Sequence, residues 1–246
     1  MKLIKALTSL VPLVMLVGCG NPADKVPAAA VGPASNAAAK ATEPSDSGSG
    51  GSYFAFGPSS STIEFVGSKV TGSHNGGFRN FAGEFQVVNG KLAGTGNKVL
   101  IDASSLWSDN DRLTGHLKNP DFFDVARFPT ATFVTESISE GKTNSTVTGN
   151  LTLHGVTKKI SFPATVQIAK DAVNVTAEFF INRFDFDIKY EGRSNDLVRK
   201  EVVLKLNVKA VPGRADFAAV EKAAQAGAAT AQAEPQPGGP RRRAGQ

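Results

Sequence analysis

Residues 146–168 read TVTGNLTLHGVTKKISFPATVQI. In the first run Val147, Gly149, Leu151 and Leu153 alternate with Thr146, Thr148, Asn150, Thr152 and His154. In the second, Ile160, Phe162, Ala164, Val166 and Ile168 alternate with Lys159, Ser161, Pro163, Thr165 and Gln167. A period of two places every second side chain on one face of an extended strand, so each run has a dry and a wet face. Gly155-Val156 sits where a hairpin turn belongs. The pattern continues outward. Val173, Val175, Ala177, Phe179 and Ile181 share a face, as do Val202, Leu204, Leu206 and Val208. Looser candidates are Ser61–Lys69, Phe78–Val88, Lys98–Ala103 and Thr130–Ser139, with further turn signals at Gly141-Lys142 and Lys170-Asp171. Such antiparallel strands either pack as two sheets or close on themselves. No helices are at hand to cover a second face, so the expectation is an all-β, closed antiparallel barrel of about eight strands.

One stretch breaks the alternation. Trp107–Phe133 opens as a short helix, with Ser108 as N-cap, Asp111 three residues on, and Leu113 and Leu117 one turn apart. Asn119-Pro120 ends it, because proline disfavours helical geometry in the residue before it. DFFDVAR follows, with Phe122 and Phe123 adjacent in a turn that ought to be polar. Paired aromatics there pack under something or line a mouth. A plug over one barrel end and a hydrophobic lid over a ligand both remain open.

Both ends of the chain differ from this middle. In residues 1–19, Lys2 and Lys5 precede an apolar run too short to span a bilayer comfortably, which ends Leu16-Val17-Gly18-Cys19. This resembles the lipobox of bacterial lipoproteins, in which the cysteine becomes a lipidated N-terminus. Cys19 is the chain's one cysteine, so no internal disulfide competes for it. No aspartate follows it, and that sorting rule favours the outer membrane, facing the periplasm. Residues 20–52 are rich in Ala, Pro, Gly and Ser and read as a disordered linker interrupted by Pro22, Pro27, Pro33 and Pro44. Residues 212–246 read as a low-complexity tail with a helix allowed over Ala215–Ala226 and an arginine run at Arg241–Arg243. Between them, residues 53–211 form one domain, expected to fold without either tail. The net charge of +5 is carried with interspersed signs in the domain, which does not indicate nucleic acid.

No catalytic constellation emerges. His74, His116 and His154 lack neighbours at zinc spacing, so no metal is expected. His154 reads as a hairpin residue, His116 leaves headgroup contact open, and His74 falls in TGSHNGG, read as a flexible polar loop. Asp109, Asp111, Asp121 and Asp124 read as capping and turn residues rather than a glycosidase pair. Arg183 is expected to pair with Asp124 or Asp185 rather than meet a ligand phosphate.

Three motifs carry a family resemblance: HLKNPDFFDVARFPTATF within Leu113–Phe133, VTGNLTLHGVTKKI at Val147–Ile160, and FINRFDFDI at Phe180–Ile188. In this order and spacing they resemble the YceI-like family of periplasmic lipid-binding proteins, over roughly Ser52 to Ala210. At Phe184-Asp185-Phe186-Asp187 the chain departs, because the family more often has Ser-Asp-Phe-Gly. The resemblance implies a lipocalin-like barrel, with a short helix as lid, whose elongated cavity holds an isoprenoid or other long amphiphile. On that reading Phe65, Phe85, Leu151, Phe162, Phe179 and Leu204 lie along the interior, with Phe133, Leu153, Ala164 and Ile181 on the same faces. Trp107, Leu113, Leu117, Phe122 and Phe123 close one end, and Phe184 and Phe186 come from the third motif. The implied protein is a membrane-tethered lipid carrier or buffer and not an enzyme. It needs no cofactor beyond a bound isoprenoid or fatty-acyl chain, and a homodimer is left open. The alternatives are an enzyme or accessory acting on a lipid-like substrate, which needs convergent polar groups in the cavity, and a structural envelope lipoprotein with a filled barrel.

Overall fold

The computed structural model describes residues 20–34 and 51–233. Cys19 and Arg241–Arg243, on which two of the sequence readings rest, lie outside the described residues. In chain order the strands are β1 (Ala30–Pro33), β2 (Ser52–Phe56), β3 (Thr62–Lys69), β4 (Gly72–Phe78), β5 (Phe81–Val88), β6 (Lys91–Leu92), β7 (Lys98–Asp102) and β8 (Leu106–Ser108). Helix α1 (Asp111–Lys118) precedes β9 (Thr130–Ser139), β10 (Ser145–Leu153), β11 (Val156–Ile168), β12 (Val173–Asn182), β13 (Gly192–Arg193) and β14 (Asp196–Pro212), and α2 (Phe217–Ala233) follows.

The hairpin at the centre of the sequence forms as its pattern dictates. β10 and β11 pair from Ser145↔Ala164 to Leu153↔Val156. The two residues between them, His154 (φ 52°) and Gly155 (φ 74°), are both left-handed, the geometry whose twist matches the strands it joins. From this hairpin the ladder runs β10–β9–β7–β5–β2–β14–β12 and back to β11, an antiparallel barrel of eight strands. β14 is the long stave. One edge carries β12, and the other carries β3 and then β2. β4 and β8 extend the sheet from β3 and deliver the chain to α1. The inward faces meet in a core that includes Phe162 and Phe179, stacked with ring centroids 4.1 Å apart.

Three sequence readings are corrected here. TGSHNGG is not a flexible loop but most of β4, hydrogen-bonded to both β3 and β8. Gly76 and Gly77 are there for close approach: a Cβ on Gly76 would stand 2.3 Å from the Phe65 ring, and one on Gly77 3.0 Å from the Trp107 Nε1. The cap of α1 is Asn110, whose Oδ1 accepts from the Leu113 amide at 3.0 Å, while Ser108 belongs to β8 and bonds the Thr114 hydroxyl. The helix does end at Asn119, before Pro120.

The third correction concerns the segment read as a linker. Residues 20–34 pack on the barrel. Asn21 caps a 3-10 turn at Pro22–Lys25, and Ala23 is buried against Val66 and Val203 on the outer face of β3 and β14. The chain then enters the seam between β11 and β12. The Ala29 amide donates to the Phe180 carbonyl at 2.8 Å and the Phe180 amide to the Pro27 carbonyl at 3.0 Å, after which β1 pairs with Lys158–Ser161 of β11. The methyl of Ala29 joins the main core. Small residues are what a seam between two strands admits, and the barrel supplies the hydrogen-bonding partners that such a segment lacks by itself. A fragment starting at Tyr53 is therefore expected to fold, but with a stability about 3 kcal/mol below the full chain, from the uncovered Val66 and Val203 and the lost ladder bonds. Urea denaturation followed by circular dichroism measures this. An unchanged midpoint would show that the strap contributes no stability.

The tail after β14 is helical further than the sequence allowed. α2 lays Val220 against Ala82 and Leu100, with Ala224 and Ala228 buried on the same stripe. Gly227 lets the helix come close: a Cβ there would stand 1.9 Å from the Ser104 hydroxyl. Among the described residues no helix is long and apolar enough to cross a membrane.

Candidate functional site

The barrel is not filled. A cavity of about 470 Å³ runs through its interior, within the range of small-molecule sites. Its wall on β14 extends from Val198 to Val208, roughly 33 Å of strand at about 3.3 Å per residue. Val202, Leu204, Leu206 and Val208 face it in strict alternation, met by Val175, Phe179 and Ile181 of β12 and by Ile160, Phe162 and Val166 of β11. Phe65, Phe85, Phe133, Leu151 and Leu153, proposed from sequence, also line it, as do Leu113, Leu117, Phe122 and Phe123.

Four of the proposed residues do not. Ala164 is buried, but its methyl ends within the wall. Continuing the β11–β12 register places it opposite Ala177, beside the Phe162–Phe179 stack. Phe186 is wholly buried in the core behind the cavity. Phe184 points outward, with the Arg183 guanidinium 4.7 Å from its ring centroid. Trp107 sits on β8 against Gly77 and beneath Arg79, outside the barrel interior. The sequence reading also missed Phe56, Ile63, Phe78 and Tyr190, all of which line the cavity. Phe56 could have been found from the alternation of Phe54 and Phe56 in β2, a strand at the domain's start that the sequence reading did not propose.

One end of the cavity opens under α1. There His116 stands edge-on to Phe122 and Tyr190, at 5.1 and 5.0 Å between centroids, with its Nε2 3.1 Å from Asp121. Phe123 packs edge-on to Phe78 at 6.0 Å. Both paired phenylalanines line the cavity, Phe122 against His116 and Tyr190 and Phe123 against Phe78. Around the rim, His74 bonds Asp109 at 2.7 Å, and Lys69 bonds Asp196, which also accepts from Thr71. Burial acts to raise the Asp109 carboxyl, but hydrogen bonds from the Asn75 amide and His74 outweigh it and hold the group below its usual range. The hydrogen bond from Lys69, joined by those from Thr71, holds Asp196 low as well, so this clasp between the β3–β4 and β13–β14 hairpins persists into acid.

Arg183 lies at the same end, 4 % exposed. It pairs with neither Asp124 nor Asp185, as the sequence reading had it. Nε donates to the Arg199 carbonyl at 3.0 Å, Nη1 to Ile188 at 2.6 Å, and Nη2 to both Tyr190 and Val198. Burial lowers its pKa from the usual guanidinium value, opposed by the nearby Glu191 and Glu201.

A family model for the YceI-like domain matches residues 54–210, which is most of the chain and nearly all of the barrel ring. The chain belongs to the YceI-like family. A UPF0312 protein of Pseudomonas putida is 33 % identical over 135 residues, covering 52 % of this chain and 70 % of that one. One from Pseudomonas fluorescens is 34 % identical over 138 residues, covering 53 % and 72 %. Among solved structures, BcnA of Burkholderia cenocepacia superposes with a TM-score of 0.56 at 25 % identity, covering 61 % of this chain and 96 % of that one. A polyisoprenoid-binding domain from Saccharophagus degradans superposes at 0.53 with 19 % identity, covering 66 % and 99 %, a likeness of fold.

The opposite end of this YceI-like barrel carries the deepest polar groups of the cavity wall, Asn97 and Thr135. They satisfy each other: the Asn97 side-chain amide donates to the Thr135 hydroxyl at 3.0 Å and to the Ala93 carbonyl at 2.6 Å, and Asn97 Oδ1 accepts from the Gln86 amide at 2.9 Å. These bonds tie β5, β7 and β9 together at the cavity floor. Among the described residues no group of three or more His, Cys, Asp or Glu is placed to hold a metal.

Proposed function

We propose that this protein binds one long-chain amphiphile, an isoprenoid or acyl lipid, inside the barrel, as a membrane-tethered periplasmic carrier or buffer. The observation that carries the reading is the cavity itself. Beyond the polar groups at its mouth it is walled by Val, Leu, Ile and Phe along β14 and its neighbours, and its deep polar pair is already hydrogen-bonded. A catalytic site needs convergent polar groups free to act on substrate, whereas a chain-binding tunnel needs only apolar wall. Each methylene removed from water contributes roughly 0.8 kcal/mol, reduced by the cost of ordering the chain and of association. The Saccharophagus neighbour, a polyisoprenoid-binding domain of the same fold, supports the choice of ligand class.

The test is native mass spectrometry of the protein purified from its own cells, with organic extraction of what it carries. One long-chain lipid per barrel is the expected result. An empty barrel that also fails to take up a fluorescent acyl chain would end the proposal.

Tethering rests on Cys19 and is tested separately. Cys19→Ser is expected to move the protein from the membrane fraction to the soluble fraction, with uncleaved precursor accumulating. Unchanged processing and sedimentation would refute lipidation.

A further inference from the structure

The mouth of the cavity, the exposed apolar side chains and the start of the folded chain come together at one place. The β3–β4 hairpin turns at Val70 and Thr71, and the β13–β14 hairpin at Ser194 and Asn195. These two tips are joined: the Val70 amide donates to the Leu197 carbonyl at 3.1 Å, and Lys69 and Thr71 both bond Asp196. Val70 and Leu197 are 54 % and 48 % exposed, and with Phe184 they make up three of the five exposed large hydrophobics among the described residues. Lys69, Asp196 and Val198 beside them line the cavity. Of the other two, Val31 lies on the strap and Val211 at the far end of β14.

The strap begins at the same tips. The Ser68 hydroxyl donates to Asn21 Oδ1 at 3.3 Å, one residue before the Lys69 clasp. Cys19 precedes Asn21 by two residues, so in any conformation it lies within roughly 7 Å of Asn21 along the chain. From Asn21 the strap runs away over the outer face of β3 and β14 into the β11–β12 seam. On the membrane-tethered reading, a strap that starts at these tips keeps the mouth end of the barrel beside the anchor.

From this arrangement we propose that the mouth end docks directly on a lipid bilayer, with Val70 and Leu197 entering the headgroup region and the cavity opening onto the membrane. The inference rests on the membrane-tethered reading above. Within a few residues of the tips along the chain, Lys69, Arg193, Arg199 and Lys200 stand against Asp196, Glu191 and Glu201, a nearly balanced set. Docking is therefore led by the two aliphatic side chains and the adjacent anchor rather than by lipid charge. The opposite end, at Lys91, Glu140 and Lys142, carries no exposed large hydrophobic among the described residues other than Val211.

Tryptophan quenching tests this in the full chain, which has one native tryptophan, Trp107, as a fixed background. Leu197→Trp, Val70→Trp and Lys142→Trp are each reconstituted into phosphatidylcholine vesicles with a minority of phosphatidylglycerol, part of the phosphatidylcholine being brominated on its acyl chains. A thermal melt of each variant confirms folding, and the two tip variants guard against failure of one. The expected result is added quenching several-fold larger at residues 70 and 197 than at 142, weakly dependent on salt. Protein that fails to float with vesicles would overturn the tether and the docking together. Protein that floats with tip and far-end tryptophans equally unquenched would overturn the docking alone. So would tips shielded from aqueous iodide without lipid quenching, the signature of a protein partner. Uptake of a fluorescent chain in the same samples reads the cavity independently.

Discussion

Leu204→Trp is expected to weaken binding of a long-chain probe about 100-fold while leaving the barrel folded. Leu204 sits near the middle of the β14 wall, opposite Phe65 on one side and Phe179 on the other. Its side chain points into the cavity and is only partly buried, so an indole placed there extends into empty space before it meets the core. A chain stopped at the midpoint would lose the contacts of at least four methylenes, about 3 kcal/mol at roughly 0.8 kcal/mol each, or about 100-fold in affinity. The measurement is displacement of a fluorescent acyl or isoprenoid probe from delipidated protein, beside a melt. Ala164→Trp should give the opposite signature. That methyl ends within packed wall next to the Phe162–Phe179 stack, so the larger ring strains the core by about 1–3 kcal/mol or more. Phe122→Ala with Phe123→Ala, which thins the cover at the mouth and leaves the strand wall intact, should mainly speed release. Full affinity in a folded Leu204→Trp protein would place any bound lipid outside the barrel.

The barrel was legible wherever a strand has one wet face. The alternation in β10, β11, β12 and β14 identifies the inward residues directly, and Thr130–Ser139 matches β9 at both ends. It failed where side chains do not report the backbone's partners. β4 is a run of Gly, Ser, His and Asn, and its place in the sheet is set by Phe65 and Trp107 occupying the space that Cβ atoms would need. Ala28–Pro33 has no period because its hydrogen bonds come from Phe180 and from β11, far along the chain. α2 has a stripe of Val, Ala and Gly too small to advertise burial, yet close enough to touch Ser104. Within the site, periodicity gives a side chain's face but not its reach. Ala164 lies on the correct face of β11, and only the packing around it shows that it stops short of the cavity.

Arg183 is the second place where a substitution is expected to have a large effect, and its case separates structure from ligand chemistry. The guanidinium gathers the carbonyls of Ile188, Tyr190, Val198 and Arg199. These belong to the chain that leaves the 3-10 turn at Arg183–Phe186 and returns as the start of β14, so one side chain holds the mouth hairpin to the barrel. Its planar fork can reach four acceptors at once, which a lysine ammonium cannot. Arg183→Met keeps much of the buried stem but leaves those carbonyls without their donor. The expected cost is about 4 kcal/mol, a fall in Tm of roughly 8–16 °C for a chain of this size. Arg183→Lys should recover only part of it. Amide exchange should accelerate most over residues 188–199, and the affinity of the remaining folded protein for an uncharged long-chain probe should change little, since the wall beyond the mouth is untouched. If Arg183 were held mainly for an anionic headgroup, the pattern would reverse: the melt would stay within a degree or two of the parent, and only binding of chains with a phosphate or carboxylate end would weaken.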